Sequence, residues 1–273
     1  MNDQGPAWDG RGPDPWLPDR LAAMLEAASA EARVFREFWR HLREWLHLVL
    51  ERLRAAAYDP TVIAAVIPAW QEAMTAFAEG PLLETVRDGY RSVTGEDFTV
   101  DADQLARNRV WERRNQLVRV ADEVYVRVQN AVANALRDGT AGPDLADTIE
   151  GVFDATDTPY WENRATVVAR TETLGALNGG RADGQATMAR RLGGAFERVW
   201  VATLDTRTRP THAAADGQRA PLDGLFTLGL GGAVTARLRW PGDPLGPAGE
   251  VIQCRCTTVL VRPGQTINIA RRA

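Results

Sequence analysis

The sequence predicts a mostly α protein of the α+β class, with an N-terminal helical bundle followed by a small C-terminal α+β module that carries a short antiparallel sheet. Three observations carry that prediction. Apolar residues recur at helical spacing through most of the first 137 positions; the period changes after Gly193-Gly194; and both cysteines fall one residue apart in the last third, downstream of a dense run of polar residues. With 273 residues the chain can hold one large or two modest domains. The expected segmentation is a flexible arm over residues 1–18, a helical bundle over 19–157, a module over 158–262 and a tail over 263–273.

The arm is expected because Gly5-Pro6, Gly10, Gly12-Pro13, Pro15 and Pro18 oppose regular structure. From Asp19 to about Tyr58 one long amphipathic helix is predicted, its stripe running through Leu21, Val34, Phe38, Leu42, Trp45, Val49 and Leu53. Asp59-Pro60 should end it, since the residue before proline is pushed out of helical geometry. Helices over 60–78 and 82–92 follow, with Gly80-Pro81 as the expected break. Asp101 or Asp103 can cap a further long helix to Arg137, with Val110, Leu117, Val118, Ala121, Val124, Val128, Val132 and Leu136 buried, and Asp138-Gly139 provides the left-handed exit. Residues 143–155 and 160–192 read as helices, the second with Thr158 as cap and Pro159 in its first turn. His41 and His47, six apart on the first helix, do not share a face and are not read as metal ligands.

On the helix over 160–192, Arg170, Leu174, Asn178 and Arg181 fall on one face at about 100° per residue, while Glu172 points almost opposite. That pattern reads as a polar seam that docks against another element. Beyond Gly194, residues 197–204 and 251–261 read as strands, and alternation on the second puts Cys254 and Cys256 on one face. Between them lie a short helical or turn segment at 210–216, a glycine-rich stretch at 228–232 and the turn Trp240-Pro241-Gly242-Asp243-Pro244.

No apolar run in the sequence approaches the roughly 18 residues a membrane helix needs, and residues 1–20 lack the basic-then-apolar pattern of a secretion signal. The expectation is a cytoplasmic origin and no membrane partner. All 32 basic residues are Arg. Residues 1–150 hold 17 Arg against 25 acids, a net of −8, and 151–273 hold 15 Arg against 11 acids, a net of +4. A surplus of four charges is a weak electrostatic footprint for nucleic acid.

Arg170-Thr171-Glu172 with Asn178 and Arg181, then Trp200, Asp205-x-Arg207-Thr208-Arg209-x-x-His212, Asp216-Gly217, Pro241-x-Asp243 and finally Cys254-Arg255-Cys256 stand in a fixed order over about residues 160–262. This series resembles the phage Mu F-like head morphogenesis domain of tailed-phage minor capsid proteins. The family usually has Asn before the first cysteine, where this chain has Gln253. The resemblance implies a minor head component of the virion, made in the host cytoplasm and associated with the portal protein and the inner capsid. It further implies a contribution to head assembly, DNA packaging or genome delivery, with other capsid proteins and packaged DNA as partners.

Three chemical readings of the polar residues remain open. His212, Cys254 and Cys256, with Asp205 or Asp216 as a carboxylate, form a donor set compatible with zinc, although structural zinc cysteines are usually two to four residues apart. Alternatively, His212, an Asp and Cys254 could act as base, orienting acid and nucleophile, with Arg207 and Arg209 binding an oxyanion or phosphate; the protein would then be a metal-dependent or cysteine-based enzyme, a nuclease or effector delivered with the genome. No phosphate-binding glycine loop supports that. The third reading, a non-catalytic polar lock, comes first: Arg207 and Arg209 pairing with Glu172, Asp205, Asp216 or Glu250, joined by Arg170, Asn178, Arg181 and Arg255.

Overall fold

A computed structural model describes residues 17–96, 100–140, 143–153 and 160–265. Helix α1 (Leu17–Ala55) sends Val34, Phe38, Leu42, Trp45, Val49 and Leu53 into the main core. It starts earlier than expected, because proline is tolerated in a first helical turn; Leu17 and Pro18 are helical, and residues 1–16 of the expected arm lie outside the described residues. The Asp59 side chain accepts from Thr61 N at 2.9 Å and opens a 3-10 turn (Pro60–Val66) that runs into α2 (Ile67–Phe77).

Gly80-Pro81 does not break the chain. A π-helical turn (Ala78–Leu82) widens the helix there, where Pro81 offers no N–H, and the path continues into α3 (Leu83–Thr94). By length and composition the run Pro60–Thr94 would suit a membrane span, contrary to the sequence expectation, but Ile63, Val66, Trp70, Met74, Phe77, Leu82 and Val86 face the core. The single long helix expected to Arg137 is two, α4 (Val100–Val118) and α5 (Val120–Arg137), separated by a turn at Arg119. Because α4 is already helical at Val100, neither Asp101 nor Asp103 is its cap; Asp103 instead accepts from Arg87 and Arg107. Gly139 takes the expected left-handed exit, at φ +73°. Helix α6 (Pro143–Glu150) is shorter than expected, and Thr158 and Pro159 lie outside the described residues.

Aromatic edges hold the bundle together: Phe38 meets Trp70 and Phe77 at centroid separations of 6.0 and 5.5 Å, and Trp45 meets Trp70 at 5.2 Å. Both indoles are satisfied, Trp45 by Val66 O and Trp70 by Leu117 O.

Helix α7 (Tyr160–Leu192) runs through this core and is buried continuously from Thr171 to Gln185. Its glycines explain how. A Cβ at Gly180 would overlap Val86 O, and one at Gly89 of α3 would overlap Leu177 O, so α3 and α7 meet backbone to backbone. Trp161, Ala165, Val168, Ala169 and Ala176 of α7 belong to the main core, while its far side meets the C-terminal module.

That module contains β1 (Glu197–Val201), α8 (Pro210–Ala214), β2 (Arg219–Pro221), the hairpin β3 (Phe226–Leu230) and β4 (Ala233–Leu238), α9 (Ala248–Val251) and β5 (Thr257–Val261). Strand β1 is central in an antiparallel β2-β1-β5 sheet, with Glu197 opposite Val261 and Val201 opposite Thr257. Both long strands are shorter than expected: the chain turns away after Val201, and residues 248–251 are helical. The two cysteines therefore sit on the turn leading into β5 rather than on a strand, since Gln253 takes a φ of +56° that no strand allows.

Candidate functional site

The polar face expected on α7 exists, and it divides. Asn178 Nδ2 donates to Cys256 O at 2.8 Å and to Pro241 O at 3.0 Å, while its Oδ1 accepts from Thr257 Oγ1 at 3.0 Å. Arg181 reaches Thr257 Oγ1 at 2.9 Å and pairs with Glu26 of α1. Gln185, one turn further on and missed in the sequence, binds Thr258 O at 3.0 Å. Together these residues fix the entry of β5 against α7. Arg170 faces away, toward Glu31 of α1 at 2.9 Å.

Glu172 projects from the opposite side of α7, as its angle requires, and meets Arg113 of α4 at 2.8 Å. Both side chains are under 5% exposed. Burial pushes the Glu172 carboxyl up from its ordinary range, against the pull of Arg113. Arg113 also donates to Gly242 O at 2.6 Å, through the space left by the missing side chain of Gly175. Nearby, Arg109 and Arg239 lie on the Trp240 ring at 4.4 and 4.2 Å, and Arg239 pairs with Asp243 and Glu112. Arg109, Glu112 and Arg113 belong to α4, and the sequence reading assigned none of them a role.

The third group is at the heart of the module. Pro210 starts α8 and places His212 on its buried side, edge-on to Trp200 at 5.4 Å. The tight turn after α9, closed by Cys254 N to Val251 O, brings both cysteine sulfurs to the same ring nitrogen. His212 Nδ1 lies 3.4 Å from Cys256 Sγ and 3.6 Å from Cys254 Sγ. Its Nε2 lies 3.0 Å from Glu250 Oε2, which also accepts from Thr211 Oγ1 at 2.9 Å. His212 and Cys254 are 2% exposed and Cys256 3%. Hydrogen bonding from Cys256, with His212 adding to it, pulls the Cys254 thiol down against its burial, whereas burial pushes Cys256 up. The Trp200 indole favours an ionised Cys256 but makes no regular hydrogen bond.

Asp205 stands apart from this group. It is ion-paired with Arg255, accepts from Arg207 N at 3.0 Å and from Thr208 Oγ1 at 3.2 Å, and Arg255 holds its carboxyl well below the usual range. Of the pairings expected for the two arginines, Arg207 makes one, an exposed ion pair with Asp205 at 3.8 Å, whereas Arg209 donates instead to Ile252 O at 2.6 Å. Asp216 accepts from Ala202 N at 2.7 Å and secures the end of β1. Glu250, expected as an arginine partner, serves His212. The α7 seam and the His-Cys group are still continuous, because Asn178 binds the carbonyl of the same Cys256 whose sulfur faces His212. His47, 3.3 Å from Glu51 and exposed, and His41 belong to α1, apart from this site.

Comparison with known proteins gives three findings. Residues 126–259 match the family model described as Phage Mu protein F like protein, a match that begins within α5. The chain is 28% identical over 156 residues to Minor head protein GP7 of Bacillus phage SPP1, covering 57% of this chain and 48% of that protein. It is 30% identical over 154 residues to NAD(+)--arginine ADP-ribosyltransferase EFV of Enterococcus faecalis, covering 55% of this chain and 28% of that protein. No solved structure gives a significant match. The chain thus spans less than half the length of each of these relatives. The segment that matches the Phage Mu protein F like family, residues 126–259, is the one that carries the α7 seam, His212 and both cysteines.

Proposed function

We propose that this protein is a minor head protein of a tailed phage, carried in the virion, that acts in head morphogenesis at the portal and inner capsid. The observation that carries the reading is the family match over residues 126–259, with the relative named as a minor head protein in support. Contributions to DNA packaging or genome delivery belong to the same reading. The electrostatics favour protein partners over DNA as the main contact. Of the arginines behind the +4 surplus, Arg164, Arg170, Arg181, Arg219, Arg239 and Arg255 are ion-paired within the chain, and Arg198 and Arg209 donate to backbone carbonyls. Among the described residues beyond 150 that leaves Arg190, Arg191, Arg207, Arg237 and Arg262, of which Arg191 and Arg207 are also ion-paired, to neutralise phosphates.

The test is genetic and structural. Heads assembled without this chain should be defective in assembly or genome content by electron microscopy, and supplying the chain should restore them. Normal, infectious heads in its absence would remove the proposal. DNA affinity that falls steeply with salt would move the main contact to packaged DNA; a flat response keeps it with protein.

A second reading, an effector delivered with the genome, draws support from the relative named as an ADP-ribosyltransferase. Its cysteine-nucleophile form has the right groups in His212, Glu250 and Cys254 but no exposed face for a substrate, because the ring, the carboxylate and the sulfur all belong to buried residues.

A further inference from the structure

We propose that His212, Cys254 and Cys256 form a zinc site that clips α8 to the turn before β5, with a solvent molecule as fourth ligand. Zn–S and Zn–N bonds of about 2.3 and about 2.05 Å at the tetrahedral angle place nitrogen and sulfur about 3.5 Å apart. The two distances here are 3.4 and 3.6 Å, and all three donor atoms lie within 4.8 Å of one another.

The second observation is the other side of the imidazole. Glu250 Oε2 lies 3.0 Å from Nε2, so the tautomer that ligates zinc keeps its proton on Nε2, toward Glu250, and turns the Nδ1 lone pair between the two sulfurs. A carboxylate behind a histidine whose second nitrogen faces other ligands is the usual outer shell of a metal site. Glu250 is itself steadied by Thr211, whose Oγ1 donates to it at 2.9 Å. The three donor atoms converge in the buried interior of the module, between α8 and the turn before β5. Asp205 is held by Arg255, and Glu250 lies beyond the ring, so neither completes the tetrahedron in this arrangement.

The module also has a structural use for such a clip. Its own apolar cluster is small, with four alanines and the two cysteines among its members. Domains with so little core commonly depend on a metal or a cross-link. Binding converts both cysteines to thiolates and releases the protons they carried, while His212 ligates as the neutral ring.

The experiment uses the full chain expressed with zinc and purified under reducing conditions without chelator. Elemental analysis should find close to one zinc per chain. Replacement by Co(II) should give the visible bands of a tetrahedral thiolate site, weakened in Cys254→Ser. Because that variant could fail to fold, Glu250→Gln, which keeps all three ligands, provides the second measurement: its zinc affinity in competition with a chelator should drop about 10- to 100-fold. Folded chain with less than a tenth of a zinc and no Co(II) bands overturns the site. An unchanged affinity in Glu250→Gln overturns the arrangement proposed around it. Neither result depends on whether the protein acts in phage heads.

Discussion

The two cores of this molecule are built on different physics. The helical core packs large apolar side chains, with Phe38, Trp70, Phe77 and Trp161 all fully or almost fully buried. The core of the C-terminal module has Trp200, Phe226, Leu228 and Leu238, and the rest of its order comes from directional bonds: Arg198 to three carbonyls, Asp216 to Ala202 N, Asn178 to Cys256 O and Pro241 O. Apolar packing tolerates small shifts, whereas each buried polar bond fixes one arrangement and is costly to break from one side. The bundle should therefore lose stability in proportion to volume removed, and the module should lose its single conformation when one partner is deleted.

The largest effects are expected inside the helical core and at its junction with the module. Gly180→Val should abolish the folded state, because the new side chain enters the space of Val86 O; the loss of helical signal on thermal melting measures it. Trp70→Ala should cost about 3–5 kcal/mol in denaturant unfolding, as large-to-small aromatic changes do. Arg113→Met leaves Glu172 buried without its cation, and a similar cost, about 3–5 kcal/mol, is expected. If Trp70→Ala loosened only the module, or Arg113→Met were neutral, the division between the cores would fail.

A smaller and more local effect is expected for Asn178→Ala. Hydrogen exchange should accelerate in β5 and the 253–257 turn while α1 to α3 stay protected, with a stability loss of about 1–3 kcal/mol. Gln253→Asn should be neutral or gain a few tenths of a kcal/mol, about the preference of Asn over Gln for left-handed backbone. The family's usual Asn thus has a backbone explanation: the Gln253 side chain is exposed and its N–H binds Thr171 Oγ1.

The mildest test concerns acid. Arg54 and Tyr58 hold Glu150 down to about 2 from an ordinary 4.5, joining the end of α1 to α6. A carboxylate depressed in the folded state adds stability that is fully present above about 4.5 and fades as pH falls toward 2. Titration followed by NMR should show the depression, and Arg54→Ala should return most of it.

Much of this was legible in the chain because it is local. Helical spacing placed α1 and α7 within a few residues of their ends, and Asp59-Pro60 and Asp138-Gly139 acted as written. The order of the Asp205, His212 and Cys254 motifs pointed to the right part of the chain for the His-Cys group. What escaped depends on distant partners. Nothing near Glu172 reveals Arg113, 59 residues earlier, and nothing near Asp205 reveals Arg255, 50 residues later. The turn holding the cysteines resembled a strand because Ile252, Cys254 and Cys256 alternate correctly, while the positive φ of Gln253 is set by the fold around it. The glycines of α7 went unread in the sequence, and their purpose appears only once α3 lies across them.

Helix α7 spans 33 residues, about 50 Å at 1.5 Å per residue. One end is embedded among the aromatics of the bundle and its middle grips β5, so no hinge separates the two halves along it. A push on the sheet is therefore transmitted as torque on a stiff rod, and α3, in direct backbone contact with that rod, must tilt with it.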